Sequence, residues 1–311
     1  MIIKAPIDLE LTQNSGQTSQ PPWKLDNNIY SDVVVADNNA VLFQVKQKEN
    51  NLDFNFIGDI SNKEATKKIK TIFDLDFNLN KFYKYLNNQP ELADMTNFCR
   101  DLRLFLAKDK FECVISSVCS ANNSIVRWTK SIDDIKKSWG NKYTYSEKDY
   151  FTFPDVFDFK NIYCDDVEEF ECCSNLNNPG ECINNLKSCG VGYRASYMKK
   201  ASEIFTLEMD LDDISKMSYD EAFDTMLKVP GVGPKVADCI LLYGFNFRQA
   251  FPTDVWIKRI VSYLYFDGKD INVSKIREFG MEEFGDYAGY VQLYLFHYAR
   301  MSGLMKKLKG M

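Results

Sequence analysis

Residues 228–255, KVPGVGPKVADCILLYGFNFRQAFPTDV, decide how this chain is read. The helix before them opens on SYDE (218–221), a capping-box spelling, and runs on through AFDTMLKV. Pro230 and Gly231 stop it. Pro234 then takes the first position of the next helix, where a missing N–H is tolerated. Gly231 and Gly233 permit positive φ and let a ligand approach the backbone of Gly231, Val232 and Gly233. Two short helices joined by such a turn (229–234) point amides outward at a helix N-terminus, which holds a phosphate without side-chain charge. A plain helix corner would explain the prolines and glycines, but not a lysine beside them.

That lysine is Lys235. It shares a helix face with Cys239, four residues on, while Val236, Ile240 and Leu241 cover the other face. Apolar packing strips hydration from the amine, and this is expected to lower its pKa and expose the neutral, nucleophilic form. A lone lysine would more simply snorkel to solvent. Asp254 weighs against that: FPTDVWIKRIV places it at the start of a new helix, where the dipole favours a carboxylate. There it is available to stabilise a cation and relay protons. A structural N-cap is an equally good reading of Asp254, and the two roles are compatible.

The 311-residue chain has 45% hydrophobic and 26% charged residues, ordinary values for a soluble globular protein. It contains no apolar run of about 18 residues, so no membrane span is expected. The opening MIIKAPIDLELTQNSGQ spells neither a signal nor a transit peptide, so an intracellular protein is expected. A formal charge of −6 argues against bulk nucleic-acid binding but does not exclude a local basic face. Of nine cysteines, five fall between Cys164 and Cys189, without paired Cys-x-x-Cys or Cys/His spacing, and His297 is the only histidine. Zinc is therefore not expected. No cysteine follows Cys239, which disfavours an iron–sulfur cluster.

IYSDVVV, AVLFQVKQ and LDFNFIG, separated by DNN (37–39) and ENN (49–51), predict an antiparallel meander with one buried face. Beyond about residue 78, NLNKFYKYL, DLRLFLAK, FECVISSVC and NSIVRWTKSIDDIKKSW carry helical spacing. Residues 140–180 have little periodicity and read as loop, with helices resuming at CINNLKSCG. The expected fold class is α+β: an N-terminal antiparallel β-containing domain (1–95), then a larger all-helical body (96–311) of two subdomains carrying the hairpin.

VPGVGPKVAD, with an aspartate following its lysine at this distance, resembles the lysine-bearing branch of the helix–hairpin–helix (HhH-GPD) DNA glycosylase superfamily. Lys235 matches its catalytic lysine and Asp254 its catalytic aspartate. SGQ (15–17), SANNSIVRW (120–128), VGYRASY (191–197) and DYAGYVQLYLF (286–296) extend the resemblance, from about residue 8 to 300, to eukaryotic-type 8-oxoguanine DNA glycosylases. This implies a bifunctional glycosylase/AP lyase of base excision repair. Its partner would be duplex DNA carrying 8-oxoguanine opposite cytosine. It would act as a monomer, in the nucleus if the source is eukaryotic, with no cofactor and no catalytic metal.

The resemblance also distributes roles. A base flipped out of the duplex would lie between Phe296 and Cys239, with the amide of Gln292 at its Watson–Crick edge. The carbonyl of Gly16 would accept from the N7–H that only the oxidised guanine has. Asn122 would enter the vacated stack, Arg127 and Arg194 would read the orphaned cytosine, and Tyr193 would wedge the neighbouring pair. One departure stands out: Trp256 occupies the position of a histidine that contacts phosphate in the family, and it has one donor and no charge. His297 is expected to be peripheral. The competing readings are a hairpin glycosylase for another damaged base and a non-catalytic DNA-gripping module. The missing cluster cysteines disfavour the oxidised-pyrimidine branch, and the lysine disfavours the alkylpurine branch. A mere grip would leave Lys235, Asp254, Gln292 and Phe296 unexplained.

Overall fold

A computed structural model describes residues 1–36, 39–164 and 185–309. The meander forms as its alternation predicts. Strands β1 (Ile2–Ile3), β2 (Lys24–Asp26), β3 (Ile29–Ala36), β4 (Asn39–Lys48) and β5 (Asn51–Ile57) make one antiparallel sheet in the order β1-β5-β4-β3-β2. Val34, Phe43, Val45 and Phe54 face a core shared with Trp23, Ile69 and Phe73, where helix Asn62–Ile72 lies across the sheet. The two outer strands are too short to show a period and escape sequence reading. So does the hairpin of β6 (Lys142–Tyr145) and β7 (Lys148–Phe151), inside the stretch read as loop. Its Tyr150 packs with Val33 and Leu42 on the sheet's other face.

The helical body follows, and one segment departs from expectation. DLRLFLAK is not a helix but an extended strand of chain threaded between two cores. Leu102, Leu104 and Leu106 enter the helical core while Phe105 enters the sheet core, so the run obeys a period of two. Buried Arg103 fixes it by donating to the carbonyls of Pro6 (2.6 Å), Asp74 (2.6 Å) and Phe77 (3.2 Å). Backbone amides of Leu106 and Ala107 donate to Ile72 O and Tyr243 O, both at 2.8 Å. Leu79, Phe82, Leu86, Leu92 and Met95 also pack in the helical core, so contacts cross the boundary expected at 95/96.

CINNLKSCG was expected to be helical. Leu186–Cys189 form a single 3-10 turn, and residues 182–184 lie outside the described residues, as does most of the Cys-rich stretch. The six described cysteines are free thiols. No described helix is long and apolar enough to cross a membrane.

Candidate active site

The hairpin forms as spelled. Ser218 caps helix Tyr219–Leu227, with Ser218 and Glu221 satisfying each other's amides. Gly231 turns the chain at φ +82°, with Tyr197 packed where a Cβ would stand. Gly233 is extended (φ −95°, ψ 178°) and caps helix Pro234–Phe245, with open space beside it. Only Gly231 therefore uses the left-handed region. Gly233 supplies clearance.

Helix Pro234–Phe245 turns Lys235, Cys239 and Tyr243 toward a cavity of about 860 Å³. Gly16, Asn122, Asp254 and Phe296 line it too. Five separate segments of chain thus bring six of the expected residues to one space. A second cavity of about 390 Å³ is lined by Asn122, Tyr193, Arg194 and Gly231–Gly233, so Asn122 stands between the two. Tyr193 is exposed, with the Arg194 guanidinium 4.6 Å from its ring centre. Two expected residues line neither cavity. Arg127 is exposed on the first turn of helix Ile125–Trp139. Gln292 is buried and donates to Gln17 Oε1 at 3.0 Å.

Asp254 is an N-cap: its Oδ1 accepts from Trp256 N (2.9 Å) and Ile257 N (2.8 Å). That fixes the carboxylate at the cavity wall. The amine behaves otherwise than expected, for Lys235 lies above the ordinary lysine value. Cys239 raises it most, burial pulls it down, and Asp254 raises it again. Burial also pushes the Cys239 thiol up, while Lys235 beside it pulls it down. Apolar packing acts in the direction foreseen, but carboxylate and thiol outweigh it in the free protein.

Arg194 is also engaged by its own chain. Its guanidinium donates to Ala121 O (2.8 Å), Asn122 O (2.9 Å) and Val191 O (3.4 Å), tying the Asn122 loop to its own helix. Asn122 itself sits at φ +50°, a conformation that asparagine tolerates.

Residues 115–285 match the family described as HhH-GPD superfamily base excision DNA repair protein. The chain belongs to this superfamily. Residues 1–114 match the 8-oxoguanine DNA glycosylase N-terminal domain, so residues 1–285 of this HhH-GPD chain follow a two-part layout. It is 44% identical to a probable N-glycosylase/DNA lyase of Methanothermobacter thermautotrophicus, across 97% of this chain and 96% of that one. It is 25% identical to the N-glycosylase/DNA lyase of Saccharomyces cerevisiae, over 95% and 84% of the two chains. Its fold matches, at a TM-score of 0.78 and 28% identity, the Clostridium acetobutylicum 8-oxoguanine glycosylase/lyase solved with duplex DNA containing cytosine opposite 8-oxoguanine, covering 97% and 98%.

Two residues of this HhH-GPD site were missed. Gln17 adjoins Gly16 within the SGQ stretch and lines the cavity. Tyr243 continues the Lys235–Cys239 face by one more turn, and its buried hydroxyl has no partner among the described residues. The i, i+4, i+8 spacing would have found it. His297 is buried, one position from Phe296, and burial lowers its pKa.

Proposed function

We propose that this chain is a bifunctional DNA glycosylase/AP lyase that excises 8-oxoguanine from duplex DNA, preferably opposite cytosine. The observation that carries this reading is that Lys235, Asp254, Gly16, Cys239 and Phe296 line one cavity. Phe296 and Cys239 would sandwich the flipped base, an aromatic face against a polarisable sulfur. Gly16 O would accept the N–H special to the oxidised purine, because a site built on a hydrogen bond rejects a base that leaves it unmade.

Lys235 Nζ, once it has lost its proton, would form a bond to C1′ as the C1′–N9 bond breaks. The departing base takes up a proton as it leaves. Asp254, fixed by its cap bonds, would stabilise the positive charge that develops on the sugar. The covalent amine becomes a Schiff base, which acidifies the 2′ proton. Its removal expels the 3′ phosphate by β-elimination and cuts the strand. The chemistry calls for no metal or organic cofactor. Outward amides of the hairpin, Gly231 to Gly233, would hold a phosphate. Asn122, Tyr193, Arg194 and Arg127 would occupy the gap and face the orphaned cytosine.

A repair enzyme acting on DNA works inside the cell. Nuclear residence applies only if the source is eukaryotic, and one relative reported above is archaeal. The test is borohydride trapping on a duplex with one 8-oxoguanine opposite cytosine. A covalent adduct with wild type and none with Lys235→Gln is expected. If neither protein traps and both bind undamaged DNA equally well, the chain is only a phosphate-gripping module.

A further inference from the structure

Of the two groups expected to read the flipped base, one is buried away from the cavity and the other is already engaged. Gln292, 3% exposed, gives its Nε2–H to Gln17 Oε1 at 3.0 Å, and its own Oε1 has no partner among the described residues. Gln17 gives its Nε2–H to Gly16 O at 3.3 Å. One carboxamide therefore donates to the carbonyl assigned to the damage-specific N–H and accepts from the amide assigned to the base edge. That is the donor–acceptor pair a bound base would present to the same two partners.

From this we infer that Gln17 stands in for the base: its side chain occupies the reading positions of the pocket and must swing out for a nucleobase to enter. The inference rests on the glycosylase reading above and names a further residue that sets how readily that pocket fills. The local structure suits such an exchange. The backbone is pinned, with Gln17 N donating to Ser15 Oγ (3.2 Å) and Arg300 Nη1 donating to Ser15 O (3.0 Å). The Gln17 side chain is only half-buried and borders the open cavity, so rotation about its own torsions clears the site without moving the loop. In place it keeps Gly16 O and Gln292 Nε2 paired, which a buried polar group requires.

The consequence has a definite sign. Any base that enters gives up the same Gln17 bonds, so removing the side chain strengthens entry uniformly, whereas removing a true base contact would weaken it. The measurement is the dissociation constant, in the non-reacting Lys235→Gln background, for two duplexes. One carries 8-oxoguanine opposite cytosine. The other carries a tetrahydrofuran abasic analogue opposite cytosine and has no base to insert. Gln17→Ala and the similarly sized, bond-free Gln17→Met are both expected to tighten the 8-oxoguanine duplex about fivefold, the worth of one net hydrogen bond, and to leave the abasic duplex unchanged.

Weaker binding of the 8-oxoguanine duplex overturns the inference and makes Gln17 a base contact. Equal changes on both duplexes, or none on either, overturn it as well, and so does tightening by alanine alone. If Lys235→Gln with Gln17 intact binds the 8-oxoguanine duplex no better than an undamaged one, the proposed function is what fails.

Discussion

Replacing Asp254 by asparagine separates the cap that its carboxylate makes from the catalytic role proposed for it. Its Oδ1 accepts from two backbone amides, at 2.9 and 2.8 Å, and an amide oxygen in the same place accepts both equally well. Asparagine and aspartate are near-equal N-caps, so Asp254→Asn should unfold within a few tenths of a kcal/mol of wild type. Asp254→Ala loses both bonds, at a cost of about 1 kcal/mol. For a chain of 311 residues, an unfolding entropy of about 2.1 cal/mol/K per residue turns that into a melting shift of about 1–2 °C. Both variants remove the charge facing the sugar, and both should slow single-turnover excision of 8-oxoguanine about 100-fold or more. The pH profile supplies a second sign. Excision needs the neutral amine, so its rising limb follows the pKa of Lys235, which Asp254 raises. In Asp254→Asn that limb should therefore move to lower pH, even as the plateau falls. Excision measured across pH, beside thermal unfolding, decides the matter. The reasoning is refuted if Asp254→Asn melts as low as Asp254→Ala, if either variant excises within a few-fold of wild type, or if the limb moves up.

Gly231→Ala puts a side chain at φ +82° with its Cβ 2.8 Å from the Tyr197 ring, and the backbone term alone is worth about 1–2 kcal/mol. Filter binding should show equal losses on damaged and undamaged duplex, because the turn would touch only phosphate; a loss confined to damaged DNA would contradict the grip. Trp256→His adds a group that is charged below about pH 6.5. It should tighten duplex binding at pH 6 relative to pH 8 and steepen the salt slope by up to about 0.9, one phosphate's worth, and an unchanged slope would mean that position 256 does not meet the backbone.

The parts of this molecule that were legible in sequence are those where local chemistry and tertiary role agree. The hairpin is one such case. Ser218, Glu221, Pro234 and Gly231 each have a local reason to be where they are, and the turn forms as they spell it. DLRLFLAK failed because its leucines and phenylalanine satisfy helical spacing on paper, while the choice between helix and extended chain lay in two cores that only the folded chain brings together. Arg103 was the missed sign, a buried cation whose partners are carbonyls at positions 6, 74 and 77. Gly16 and Phe296 sit 280 residues apart on one cavity, a proximity that no local pattern encodes and that entered only through the family resemblance.

The side-chain partners follow a common rule that sequence could not supply. Gln292 holds Gln17, Arg194 holds the carbonyls of 121, 122 and 191, Asp254 holds two amides, and Lys235 holds a proton. Each of these four groups is thus engaged by its own chain, as buried polar groups demand. Loading the site is then an exchange of bonds, and the gain per exchange is small because one partner replaces another. Discrimination cannot come from how many contacts a damaged base makes. It comes, on the proposed reading, from what an undamaged base leaves unmade at the carbonyl of Gly16. On the proposed reading, the specificity of the enzyme rests on one backbone oxygen held at φ +70° and on the side chain beside it that keeps that oxygen occupied until the right base arrives.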